Sequence, residues 1–397
     1  MKKWLYAILF LFASQMSWAD GDTLSVTERN AQLGFNDTIN RLADDFINAY
    51  LVVAAPSATT YSTLGHDCLR LQCNALGLDR MYSYESENVE KKIFSYLKGD
   101  LKMGMFSINP QEYIDYYASQ RRSVRQYKLS LSPVVKARLW QIVDEEMLKG
   151  TSLPYDYLER GCAQSILVFL KRAIAPGEIH YGAWPDKYRQ TRRELVSSNL
   201  VNRHPWVDCM FSLVVGTEAD REVSYEEKVV IPADLVEVLQ RAEVDGRAII
   251  SNEPEWLTEQ YPDVAFKALT PNMVGIILLL LVICSIWFRP AWSKAIDVIS
   301  LSAITAVGIF ISFVLIGNLP NSAWIWLFIP FNPLLVMGWY WRKYWALPYA
   351  GLLIVWIVGM MVYPHTLVNN AYLLFVAAEI VVLLKQTKQI EWIVRKH

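Results

Sequence analysis

Five apolar stretches crowd the last third of this 397-residue chain, at about residues 272–288, 296–317, 322–341, 345–363 and 370–384, whereas charge is concentrated in residues 20–270. A helix needs roughly 20 apolar residues to cross the hydrocarbon core of a bilayer, and several of these runs approach that length. The pattern therefore predicts an all-α membrane bundle of five helices over 271–397, joined to a polar domain before it. The 53% hydrophobic content of the whole chain fits that division. A formal net charge of −1 gives no electrostatic argument for a nucleic-acid partner, and none is expected.

The connections between the apolar runs set the orientation. Arg289 and Lys294 follow the first run, Arg342 and Lys343 the third, and Lys385, Lys388, Arg395 and Lys396 the fifth. Residues 318–321 and 364–369 contain no Lys or Arg. Basic connections stay on the cytoplasmic side, which puts residues 20–270 outside. The N-terminus agrees independently: Met1-Lys2-Lys3, an apolar run from Trp4 to Ala13 and Ser17-Trp18-Ala19 form a secretory signal over 1–19. Trp287, Trp292, Trp324, Trp341 and Trp345 sit near run ends, as interfacial anchors do.

The exported part reads as α+β. Apolar spacing predicts helices over Leu42–Tyr50, Val134–Leu148, Cys162–Ala173 and Ala233–Ala242, with Ser132-Pro133 supplying an N-cap and a first-turn proline for the second. Strands are expected at Leu51–Ala55, Met81–Tyr84, Lys228–Ile231 and Arg247–Ile250. A catalytic domain over 20–176 followed by a further α/β portion over 177–270 accounts for these elements.

Within the first of these lie Gly65-His66-Asp67-Cys68-Leu69-Arg70 and, later in the chain, Gly161-Cys162-Ala163. A thiol and an imidazole are the minimum for covalent acyl transfer: the base makes the thiolate, and the thiolate attacks a carbonyl. Cys162 falls at a predicted helix start, where backbone N–H groups and the helix dipole favour negative charge and supply donors for an oxyanion. His66 is the candidate base. The competing reading of Cys162 is a disulfide, since Cys68, Cys73, Cys162 and Cys209 make an even set in an oxidising compartment. Cys68 reads as a small buried hydrophobe. The remaining histidines lack metal-ligand spacing, and neither a metal nor another cofactor is expected.

Pro56, Tyr61-Ser62, Gly65-His66-x-x-Leu69-Arg70, Tyr82-x-Tyr84, Gly99-Asp100-Leu101, Arg121-x-x-x-Arg125-Gln126 and Tyr155-x-Tyr157 ahead of Cys162-Ala163 resemble the exported N-terminal domain of the Lnb-type lipoprotein N-acyltransferases. That domain is similar to permuted, lecithin:retinol-acyltransferase-like members of the NlpC/P60 group, papain-like cysteine enzymes in which His precedes Cys. The resemblance covers about residues 45–175. It continues weakly into the membrane part at Asn321-x-x-Trp324 and Phe331-Asn332-Pro333-Leu334. It implies an enzyme of the bacterial inner membrane, with a phospholipid as acyl donor, a thioester on Cys162, and the N-terminal amine of a diacylglyceryl-cysteine lipoprotein as acceptor. The family usually has Asn where this chain has Gly161.

Other positions carry weaker signals. Tyr84, Asn74 and Glu85 follow His66 at distances where a neighbouring strand can orient the imidazole, and Tyr84 is the choice among them. Arg70 shares a face with His66 if their segment is a strand, and is a candidate substrate-binding group; Asn332, between Pro330 and Pro333, is another. Arg121-Arg122-x-x-Arg125 reads either as a phosphate site or as a solvated helix face. Glu379, inside the fifth run, and His365, on an outer loop, complete the set. Two other functions share these features: a cysteine peptidase or amidase acting on cell-wall peptides, and a non-catalytic membrane sensor with Cys162 in a disulfide.

Overall fold

The computed structural model describes residues 43–57, 63–88, 91–92, 94–95, 100–150, 153–156, 160–182, 190–214, 217–260, 268–288, 291–316, 342–362 and 370–386. The expected signal segment 1–19, the third apolar run with Asn332, and His365 lie outside these residues.

An antiparallel sheet organises the exported part. Its strands are β1 (Asn48–Ala54), β2 (His66–Cys73), β3 (Leu78–Ser86), β4 (Lys102–Ile108), β5 (Val124–Lys128), β6 (Leu153–Pro154) and an edge strand, β10 (Glu255–Thr258). Their spatial order is β10-β5-β1-β2-β3-β4-β6. β1 is central, and its near-continuous apolar run is what burial on both faces requires. The expected helix over Leu42–Tyr50 is not formed: residues 43–47 turn and Asn48–Tyr50 already belong to β1. Strand pairing on both sides overrides the local helical spacing there.

β2 and β3 alternate cleanly. Leu69, Leu71, Tyr82 and Tyr84 point to one face, where they form the main core with α2 (Pro133–Lys149), α3 (Cys162–Ile174) and α6 (Pro232–Gln240). Each large apolar side chain buried there contributes roughly 1.5–3 kcal/mol. Cys68 and Met81 point to the other face and pack on Tyr113 and Tyr117 of α1 (Pro110–Ser119). α2 begins as the sequence predicts, with Ser132 accepting from the Val135 N–H and Pro133 in the first turn. It is pinned to the sheet by Tyr82, whose hydroxyl donates to Asp144 at 2.5 Å and accepts from Trp140 Nε1 at 2.9 Å.

The later exported segment contains β7 (His180–Tyr181), α4 (Arg192–Leu200), α5 (Pro205–Val214), α6, β8 (Ala242–Val244) and β9 (Arg247–Ala248). Residues 228–231 form no strand; they lead into α6 through Pro232. β10, further on, returns to the main sheet and pairs with β5, so this segment shares the sheet of the first. A buried ion pair braces it: Arg193 Nε and Nη2 reach Asp220 at 2.5 and 3.1 Å.

Helices α7 (Pro271–Phe288), α8 (Ser293–Ile316), α9 (Arg342–Val362) and α10 (Asn370–Gln386) occupy four of the five expected apolar runs. Among the described residues one of them, α7, is long and apolar enough to cross a membrane by length and composition. Five spanning helices therefore exceed what the described residues establish. α8 contains Lys294 and Asp297, and α10 contains Glu379 and Lys385. Three of these helices are tied by one cation: Lys385 Nζ of α10 contacts Asp297 of α8 at 2.9 and 3.0 Å and donates to Ser285 of α7 at 3.0 Å. Glu379 of α10 is fully buried, near Tyr349 of α9.

Candidate active site

The site forms where β2 begins. Gly65 precedes it with φ +90, a conformation that glycine adopts without strain. A Cβ there would also meet Ala54 O at 3.0 Å, so both the turn and the close approach to β1 call for glycine. The strand then places His66 on the α1 side and Asp67 on the α3 side. α3 starts at Cys162, as its apolar spacing predicts, and aims its N-terminus at this strand end. The Cys162 thiol, the His66 imidazole and the Asp67 carboxyl lie close enough there for each to act on the ionisation of the others.

Gly161 is the N-cap of α3, with an ordinary φ of −98. Its own N–H is taken by Gln164 Oε1 at 2.9 Å, the return half of a capping box. A Cβ on Gly161 would meet that same oxygen at 2.7 Å, so here Gln164 occupies the space a side chain at the cap would use. The backbone N–H groups of the first helical turn remain as donors beside the sulfur.

The third polar group is Glu85. Cys68 pairs with Ser83 across β2 and β3, and the same register continued to the strand end sets Glu85 opposite His66. His66 Nε2 lies 2.7 Å from Ser83 Oγ and 3.1 Å from Glu85 Oε1. Ser83 donates its hydroxyl to Glu85 Oε1 at 2.6 Å, so its oxygen accepts from Nε2–H. In the neutral ring that assigns the proton to Nε2 and the lone pair to Nδ1. Tyr117 of α1 stacks on the ring, centroids 6.4 Å apart.

Burial by itself depresses the imidazole, but Tyr117, the Glu85 carboxylate and the Cys162 sulfur outweigh it and hold His66 well above its ordinary range. Tyr117 keeps its proton at neutral pH because burial pushes its phenol up, so Glu85 and the thiolate are the charges that matter there. Burial opposes the charge on Glu85 as well, yet contact with His66, Ser83 and, at longer range, Arg122 holds it down at about 2. The Cys162 thiol is raised, first by burial and then by Asp67, with His66 pulling it down. The helix start therefore does not by itself make a thiolate. Ionisation of the sulfur depends on proton transfer to an imidazole that is ready to accept it.

The other sequence candidates fall away from this centre. Tyr84 faces the main core, 6.1 Å from the Phe169 ring, because it alternates with Ser83 and Glu85 along β3. Arg70 shares the His66 face but its guanidinium is engaged by Asp79 at 2.6 and 2.9 Å and by Gln126 at 2.9 Å. Arg121-Arg122-x-x-Arg125 forms no helix face: Arg121 sits in a turn with φ 55, Arg122 is buried 4.4 Å over the Tyr117 ring, and Arg125 belongs to β5. All five cysteines are free, so Cys162 and Cys209 are not linked. Burial pushes Cys68 up to about 12, as expected of an inert core thiol. Among the described residues no group of three or more His, Cys, Asp or Glu side chains is placed to hold a metal ion.

Asp67 and Glu85 are the residues that sequence reasoning underused. The alternation Tyr82-Ser83-Tyr84-Glu85 carried the signal for Glu85, since it separates an aromatic face from a polar one.

Residues 37–195, which include the whole of this constellation, match the family model described as the Lnb N-terminal periplasmic domain. The chain carries an Lnb-type N-terminal domain. No curated protein and no solved structure matches the chain. The periplasmic description of the Lnb-type domain agrees with the export of the N-terminal region expected from the basic connections. In this Lnb-type domain the histidine comes from β2, far earlier in the chain than the cysteine helix α3.

Proposed function

We propose that this protein is a membrane-bound, thiol-dependent lipoprotein N-acyltransferase whose exported domain has a permuted papain-like arrangement. The observation that carries the reading is the Cys162 thiol at the start of α3, electrostatically coupled to a His66 that Ser83 and Glu85 hold, inside an Lnb-type domain. His66 Nδ1 takes the thiol proton, and Sγ attacks the ester carbonyl of a phospholipid. N–H groups of the first turn of α3 stabilise the oxyanion. The lysophospholipid alkoxide leaves with the proton from His66, and the acyl chain remains on Cys162 as a thioester. The N-terminal amine of a diacylglyceryl-cysteine lipoprotein then takes up that chain.

Both substrates keep their tails in the bilayer, so a helical region after residue 270 that fixes the thiol near the headgroups lowers the cost of bringing them together. In this reading the basic connections lie in the cytoplasm of a bacterial cell and the five apolar runs all span the inner membrane. Its test is conversion of diacylated to triacylated lipoprotein in cells that depend on this protein. Cys162→Ala and His66→Ala should each abolish it while the variants still insert in the membrane. Triacylation at the wild-type level by either variant would refute the proposal.

A further inference from the structure

Among the described residues Asp67 is the buried carboxyl with neither oxygen in a hydrogen bond of good geometry. It is 0% exposed. Its polar neighbours are the Cys162 thiol, held as a loose partner, His66, and its own backbone N–H. A buried carboxylate so placed is costly unless a cation or a strong donor joins it. The cation at hand, His66, is already engaged on Nε2 by Ser83 and Glu85.

Acylation changes this environment. Once Sγ carries an acyl group it has no proton to offer, and Asp67 loses its thiol partner while standing beside the thioester. A primary α-amine is mostly an ammonium at neutral pH, with a pKa of about 7.7–8.0. It must lose a proton before it can attack.

From this juxtaposition, and resting on the acyltransferase reading above, we propose that Asp67 is the binding group and proton acceptor for the α-ammonium of the acyl acceptor in the second half of the reaction. The Asp67 carboxylate takes one proton from the ammonium. The freed lone pair forms the C–N bond with the thioester carbonyl, and collapse of the adduct breaks the C–S bond and returns the electron pair to Sγ. A second N–H proton passes to His66 and then to Sγ, the third stays on the amide, and Asp67 releases its proton to water. Burial, which pushes the Asp67 carboxyl up to about 6, makes it a better proton acceptor than an exposed aspartate.

The experiment uses the full-length protein with phosphatidylethanolamine vesicles as donor and a diacylglyceryl-cysteinyl peptide as acceptor. Intact mass reads the acyl adduct on Cys162, and peptide mass reads transfer. Asp67→Asn should accumulate the adduct and pass it to the peptide about 100-fold more slowly than the wild type, the scale of a lost general base. Hydroxylamine, a nucleophile that is uncharged at neutral pH, should discharge the adduct of both proteins at similar rates. Asp67→Glu should recover part of the transfer and covers the case in which the Asn variant does not fold. Transfer to the peptide at the wild-type rate by Asp67→Asn overturns the assignment, as does equal slowing toward hydroxylamine and the peptide. A wild-type protein that never forms the adduct overturns the acyltransferase reading itself, and the assignment with it.

Discussion

Glu85 Oε1 lies 3.1 Å from His66 Nε2, the nitrogen that Ser83 also contacts. One imidazole thus holds a carboxylate through one nitrogen, and in the proposed reaction the other is left to exchange a proton with sulfur. The carboxylate comes from the strand opposite His66, and the sulfur from a helix on the far face of the sheet.

Replacing Glu85 by Gln should preserve the contact and remove its charge. His66 is then less able to hold the thiol proton, and alkylation of Cys162 by iodoacetamide at neutral pH should slow by about 10- to 100-fold. Glu85 is depressed to about 2, so its stabilising contribution is present above its ordinary 4.5 and is lost as pH falls through about 2. The wild-type alkylation rate should therefore show no Glu85 step in mild acid. An unchanged rate for Glu85→Gln would show that the contact only packs the ring.

Asp67 predicts a conflict between stability and function. Its carboxyl is raised from 3.8 to about 6, so the fold favours the protonated form. Its contribution is most favourable below 3.8 and declines as pH rises through about 6. About two pKa units correspond to about 3 kcal/mol. Asp67→Asn should unfold at a higher temperature than wild type near pH 8, and the gain should shrink toward pH 4. His66 and Cys162 face Asp67, and without its charge the Cys162 thiol is lower than in the wild type. Thermal unfolding across that range in detergent checks the sign.

Gly161→Asn introduces the residue that the family resemblance leads one to expect before the cysteine. The φ of −98 accepts any residue, and Gln164, whose Oε1 a Cβ would meet at 2.7 Å, can swing away at its flexible end. An Asn side chain then caps the helix itself, so the change in stability should stay within about 0.5 kcal/mol. Denaturant midpoints of the two proteins measure this.

Lys385 and Asp297 are 18% and 10% exposed, so each is a poor place to leave a lone charge. Lys385→Met or Asp297→Asn alone should cost about 3 kcal/mol, and the double variant should cost less than the sum. A double-mutant cycle on thermal unfolding would show additive losses if the pair contributes nothing.

Patterns along the chain carry only what neighbours in sequence can enforce. The apolar runs after residue 270, the capped start of α2 and the start of α3 at Cys162 were legible for that reason: period, cap and composition act within a few residues. Thiol-and-imidazole chemistry, with the helix start at Cys162, also brought His66 and Cys162 forward as a pair. They did not reveal that Leu42–Tyr50 would give way to a strand, because the pairing partners of β1 come from distant parts of the chain.

The choice of Glu85 over Tyr84 depended on the register of β3 against β2, where a shift of one residue exchanges the two faces. Arg70 was likewise placed on the correct face, but its engagement by Asp79 and Gln126 belongs to the folded sheet alone. The sequence by itself determined that an exported thiol and imidazole stand ahead of apolar helices. Only the tertiary structure decided which carboxylate contacts the imidazole and which lies buried near the sulfur, because both are questions of register and burial between segments far apart in the chain.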